Sequence, residues 1–191
     1  MKKVLLFLPK GFEIYEASVF MDVFGWNSLE GDKSTQLITC SYNKEVISSF
    51  NYKIIVDKTI DEVDVKDFDA IAIPGGFEEY GFYEEAFDDK FLDLIKEFNK
   101  LHKIIASICV AALPLGKSGI LTGKRATTYI TRRKQLEDFN VDVINNPIVV
   151  EDNVITSWNP STAICVAMIL LEKLTSKNNI DHIRKIMGFA K

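Results

Sequence analysis

Three short apolar runs, each cut off abruptly, set the strongest limit on how this chain can fold. Val4-Leu5-Leu6-Phe7-Leu8 stops at Pro9-Lys10-Gly11, Ala70-Ile71-Ala72-Ile73 stops at Pro74-Gly75-Gly76, and Ile104-Ile105-Ala106-Ser107-Ile108 runs into Cys109. Runs with so little polar alternation read as strands covered on both faces. Between them, Ala17, Phe20, Met21 and Phe24 fall at helical spacing, with Gly25 expected near the helix end; Phe91, Leu94, Ile95 and Phe98 repeat the pattern. Further strands are expected at 36–41, 53–56, 126–129 and 141–144, and a helix over 132–139. Ile148-Val149-Val150 and Val154-Ile155-Thr156 flank the turn-forming Glu151-Asp152-Asn153 as a hairpin. Pro160 opens a long apolar helix over 161–174, and an amphipathic helix covers 180–187. Strands alternating with helices imply an α/β fold, a mostly parallel sheet with helices on both faces.

Composition narrows the function classes. A chain of 191 residues without a low-complexity linker is expected to form one domain, 1–191. A net charge of -4 argues against nucleic-acid binding, which needs a basic face. No apolar run approaches membrane-spanning length, so no membrane association is expected. The cysteines Cys40, Cys109 and Cys165 are odd in number and show no C-x-x-C pairing, which suggests a reducing, cytoplasmic setting. No cluster has metal-ligand spacing and no phosphate loop or dinucleotide fingerprint occurs, so neither metal nor cofactor is expected. Cys40 and Cys165 read as structural thiols.

Cys109 is different because of where it lies. A strand followed at once by the small residues Val110-Ala111-Ala112 is the pattern of a nucleophile elbow, which pushes one side chain out at the end of a sheet. The following helix aims its positive end there, favouring thiolate. An inert core thiol is the alternative. In open α/β sheets ligands bind beyond the carboxyl ends of the strands, where Lys10 to Glu16, Pro74 to Phe77 and Cys109 are all expected.

These segments together resemble the ThiJ/PfpI superfamily, which shares the fold of class I glutamine amidotransferases. The matching pieces are Leu8-Pro9-Lys10-Gly11-Phe12-Glu13-Ile14-Tyr15-Glu16, Ala72-Ile73-Pro74-Gly75-Gly76, Ile105-Ala106-Ser107-Ile108-Cys109 and Val154-Ile155-Thr156-Ser157-Trp158-Asn159-Pro160-Ser161-Thr162-Ala163. They span essentially the whole chain in the right order. The resemblance implies a flavodoxin-like three-layer sandwich, usually a homodimer, acting on a small-molecule substrate. It also implies Cys109 as nucleophile and Glu16 as its partner. Beside a thiolate, Glu16 would stay protonated and donate a hydrogen bond that lowers the thiol pKa. The backbone N–H groups of Gly75 and Gly76 would hold an oxyanion.

The departures matter as much. Tyr129 follows Thr127-Thr128 where relatives often carry histidine, and Val110 stands where protease-type relatives place one. His102 is expected at the far end of the sheet and His182 on the surface. A protease or glutamine amidotransferase mechanism therefore lacks its base. Trp158 and Phe50 replace arginines of deglycase-type relatives, which points to an apolar pocket in which Tyr129, Trp158, Phe12 and Val110 are candidates, while Phe50 itself reads as a core or dimer-interface aromatic. Arg132 and Arg133 are expected on a solvated helix. The expected function is a cysteine-dependent enzyme acting on a small electrophile, glyoxalase/deglycase-like or hydratase-like. The alternative is a non-catalytic protein sensing peroxide, in a stress response, through the same cysteine.

Overall fold

The structure is a computed structural model and describes residues 1–189. In chain order its elements are β1 (Lys2–Phe7), α1 (Ile14–Glu30), β2 (Thr35–Ser41), β3 (Glu45–Ile47), β4 (Lys53–Ile55), β5 (Lys58–Thr59), β6 (Ala70–Ile73), α2 (Phe82–Ala86), α3 (Asp89–Lys100) and β7 (Ile104–Ser107). There follow α4 (Ala112–Lys117), β8 (Arg125–Ala126), α5 (Arg133–Glu137), β9 (Asp142–Val143), β10 (Ile148–Glu151), β11 (Val154–Ser157), α6 (Ala163–Leu174) and α7 (Lys177–Ile186).

The main sheet has the order β10-β11-β7-β6-β1-β2-β5. Every pairing is parallel except the β10–β11 hairpin at one edge. The central strands are the apolar runs: Val4, Leu5, Leu6, Phe7 and Ala70 to Ile73 are fully buried. Each large side chain there contributes about 1.5–3 kcal/mol of hydrophobic stabilisation. Leu5 registers with Ile38 on one side and Ile71 on the other, so apolar rows cross the strands in line. Helices α1, α6 and α7 pack together over one face, and α3 with α4 lies against the sheet apart from them. The α/β reading therefore holds.

The chain leaves β1 through α1 to β2, then crosses back past β1 to β6. That reversal creates a crevice outside the carboxyl ends of β1 and β6, the usual ligand position in doubly wound sheets. Small differences from expectation have local causes. Helix α1 runs through Gly25 to Glu30, because a helical glycine costs only about 1 kcal/mol and the packing of Val19, Phe20, Val23 and Phe24 outweighs it. The segment 126–129 is strand only at Ala126; beyond it, the Thr127 N–H donates to the Thr156 hydroxyl and the Thr128 hydroxyl donates to the Cys109 carbonyl. The helix at 132–139 shrinks to Arg133–Glu137 behind a 3-10 turn at Ile130–Arg132. No described helix is long and apolar enough to cross a membrane.

Candidate active site

Strand β7 ends at Ser107, and two residues on the backbone of Cys109 turns into the left-handed region at φ 58°. A non-glycine residue is held there at a cost of roughly 1–3 kcal/mol, which the surroundings must overcome. The Ile108 N–H donates to the Ile73 carbonyl at 3.1 Å, and the Thr128 hydroxyl donates to the Cys109 carbonyl at 2.9 Å. The elbow is thus braced on both sides. Cys109 is only 7% exposed, at the floor of a cavity of about 300 Å³.

Glu16 comes from the first turn of α1 and is completely buried. Its Oε2 accepts the Gly75 N–H at 2.7 Å, while its Oε1 has no hydrogen-bond partner. An orphan carboxylate oxygen is where a proton best resides, and the neighbours of the Glu16 carboxyl are the Cys109 thiol and the Glu13 carboxyl. A Cβ on Gly75 would lie 2.8 Å from Glu16 Oε2 and 3.0 Å from Cys109 Cβ. Only glycine lets the acid and the thiol close up around this backbone.

Burial, helped by the Glu13 carboxylate, raises Glu16 to about 8, so it is neutral at physiological pH as expected. The thiol departs from expectation. Burial pushes Cys109 up, an ionised Glu16 would push it further, and only the Val110 N–H acts the other way. Desolvation of the thiol thus works against the pull of the helix behind it.

The structure redistributes the other expected site residues. Gly76, Val110 and Tyr129 line the cavity with Cys109. The Gly75 N–H is taken by Glu16, so of the two glycines only the Gly76 N–H, which has no partner among the described residues, is open to an oxyanion. Phe12 is not a pocket residue: it is 1% exposed and bridges to Gly76 while its carbonyl accepts the Ser49 N–H, so it anchors the loop beneath. Trp158 lines a neighbouring cavity instead, together with Tyr129 and Arg133. Phe50 is neither core nor pocket; it is 56% exposed and packs on Phe77 and Tyr80.

The cavity is also more charged than an apolar pocket. Glu13, Glu78 and Glu79 line it, and so does Arg132, which the sequence places on a solvated helix. Arg132 pairs with Glu78 at 2.7 Å and lies 5.6 Å from the Tyr83 ring. Glu13, three residues before Glu16, and Glu78, two after Gly76, were within reach of a sequence reading; Arg132 was not. Among the remaining thiols, Cys40 is buried as expected, but Cys165 is exposed. The buried stripe of α6 runs through Ala163, Val166, Ala167 and Leu170, and position 165 falls outside it. His102 lies before β7 at the opposite end of the sheet, and exposed His182 bonds the Glu30 carbonyl at 2.9 Å.

The chain has clear relatives. An uncharacterised protein of Methanocaldococcus jannaschii is 32% identical over 181 residues, covering 93% of this chain and 84% of its own length. The glutathione-independent glyoxalase DJ-1 of Schizosaccharomyces pombe is 30% identical over 195 residues, 98% of this chain and 99% of that one. The crystal structure of Drosophila melanogaster DJ-1beta matches with a TM-score of 0.88 at 26% identity, over 100% of this chain and 99% of that one. The family profile described as DJ-1/PfpI matches residues 2–173. With its elbow, its sheet and its sequence all in agreement, the chain belongs to the DJ-1/PfpI family.

Proposed function

We propose that this protein is a cysteine-dependent enzyme acting on a small carbonyl electrophile, with 2-oxoaldehydes as the favoured class. The observation that carries the reading is the meeting of Cys109, strained at φ 58°, with a wholly buried Glu16 whose Oε1 is unpartnered. The glyoxalase named among its relatives supports the substrate class. In the first step Sγ bonds to the aldehyde carbon and the C=O π bond breaks. The thiol proton ends on the former carbonyl oxygen, beside the Gly76 N–H. Glu16, raised to about 8, titrates close to neutrality and suits either direction of proton transfer. In its ionised fraction it takes the proton from the thiohemiacetal carbon and returns it to the adjacent carbonyl carbon, while the hydroxyl proton passes to that carbonyl's oxygen. Water then breaks the C–S bond of the thioester so formed, releasing a 2-hydroxy acid and restoring the thiol.

The test is turnover of methylglyoxal and, for the hydratase-like version, of an aryl isonitrile by wild-type protein, Cys109→Ser and Glu16→Gln. Loss in both variants supports the enzyme. Peroxide-driven mass gain at Cys109 without turnover supports the sensing alternative, and equal slow reaction of all three cysteines defeats both.

A further inference from the structure

A second cavity of about 270 Å³ lies beside the first, and Tyr129 lines both. Ile130, Arg133, Asn145, Trp158 and Asn159 complete it, with no carboxylate among them. The two cavities differ in charge. On the Cys109 side stand Glu13, Glu78 and Glu79, and the arginine there is already neutralised by Glu78. Arg133, one residue further on, has no ion-pair or hydrogen-bond partner among the described residues, and its Nε is buried and unsatisfied. Its guanidinium lies 5.7 Å from the Trp158 ring, which restrains the plane of the fork. Asn159 has its Oδ1 turned to the Ser161 N–H and hydroxyl, which leaves the amide nitrogen as a donor at the edge.

A guanidinium with a buried Nε, held against an indole and without a counter-charge, is suited to an oxyanion, which it binds through two parallel N–H groups. We propose that this cavity is an anion subsite of the Cys109 centre, in which Arg133 over Trp158 holds the carboxylate or phosphate end of a carbonyl substrate. The proposal rests on the reading of Cys109 as nucleophile and adds the substrate's second end. Charge then orders the ligand: the glutamates repel an anion from the Cys109 side, and Arg133 takes it across Tyr129. The electrophilic carbon is left at Sγ.

The test uses full-length Cys109→Ser protein, which cannot form the thiohemiacetal, titrated by calorimetry with 4-oxopentanoate and separately with dihydroxyacetone phosphate. Binding of at least one is expected, and the tighter identifies the anion. Adding Arg133→Gln is expected to weaken it by about tenfold or more. Arg133→Lys, which keeps the charge without the fork, weakens it less, and Lys134→Gln on the exposed side of α5 has no effect. Circular dichroism confirms that each variant is folded. Unchanged affinity in Arg133→Gln, or binding of neither probe, overturns the subsite. Turnover of methylglyoxal by wild-type protein is read apart. Arg133-dependent binding without turnover removes the enzyme and leaves the subsite; turnover without such binding does the reverse.

Discussion

The main sheet carries one cysteine near the carboxyl end of β2 and another just beyond the carboxyl end of β7. Cys40 lies in regular strand, fully buried, with its sulfur 3.8 Å from the Ser41 carbonyl, and burial raises it to about 12. Cys109 is nearly as buried and its thiol is likewise pushed up. Burial therefore does not distinguish them. The difference lies in the left-handed backbone at Cys109, the cavity above it and the acid beside it. On the proposed function, what surrounds the sulfur, and not its accessibility, sets Cys109 apart.

The strongest challenge to that contrast is to exchange the two sulfurs in turn. Cys109→Ser is expected to lower turnover by roughly a thousandfold or more. Cys40→Ser should leave the rate intact and cost about 1–3 kcal/mol of stability, since it buries a hydroxyl. Steady-state kinetics beside denaturant titration separate the two outcomes; equal rate losses would mean that the elbow confers nothing.

Next in size is the acid that Cys40 lacks. Glu16→Gln is expected to slow turnover by about 10²–10⁴-fold and to lack the pH dependence near pH 8 expected of wild-type. Stability should respond as well. The folded pKa lies above that of an unfolded glutamate, so between about 4.5 and 8 the native state holds a proton that the unfolded chain releases. Stability is therefore highest at the low end of this window and falls as pH rises to about 8, by an amount on the order of several kcal/mol. Urea titrations from pH 5 to pH 8.5 should show this loss in wild-type and not in Glu16→Gln.

Geometry comes third. Gly75→Ala forces a Cβ against Glu16 Oε2 and Cys109 Cβ, and is expected to cost about 1–3 kcal/mol and to slow alkylation of Cys109. Gly119→Ala, where the added Cβ meets open space at φ +87°, should cost about 1 kcal/mol and leave Cys109 labelling unchanged. Smallest of all is Cys165→Ser, on the exposed side of α6, whose melting temperature should match wild-type because surface changes stay within about 0.5 kcal/mol.

Much of this fold is legible in the sequence. Apolar runs ending at Pro9, Pro74 and Cys109, with helical periods between them, were enough for a parallel sheet with Lys10 to Glu16, Pro74 to Phe77 and Cys109 at its carboxyl edge; that Glu16 partners Cys109 was implied only by the family resemblance. Strand and helix periodicities are local, so burial of the runs leaves few alternatives. What the sequence could not decide was direction. Whether Arg132 faces an acidic cavity and Arg133 an uncharged one depends on a single 3-10 turn and on Glu78, 54 positions upstream. The fate of the Gly75 N–H depends on a carboxylate 59 residues away. Phe12 goes inside and Cys165 outside because of the rotational setting of their segments against neighbours distant in the chain. The sequence by itself determined the sheet and the elbow, because those follow from short-range pattern, while the pairing of Glu16 with Cys109 came only from the family resemblance. Only the tertiary structure decided which donors are spent, which charges are paired and which cavity each side chain lines, because hydrogen bonds and ion pairs act over ångströms in space and not along the chain.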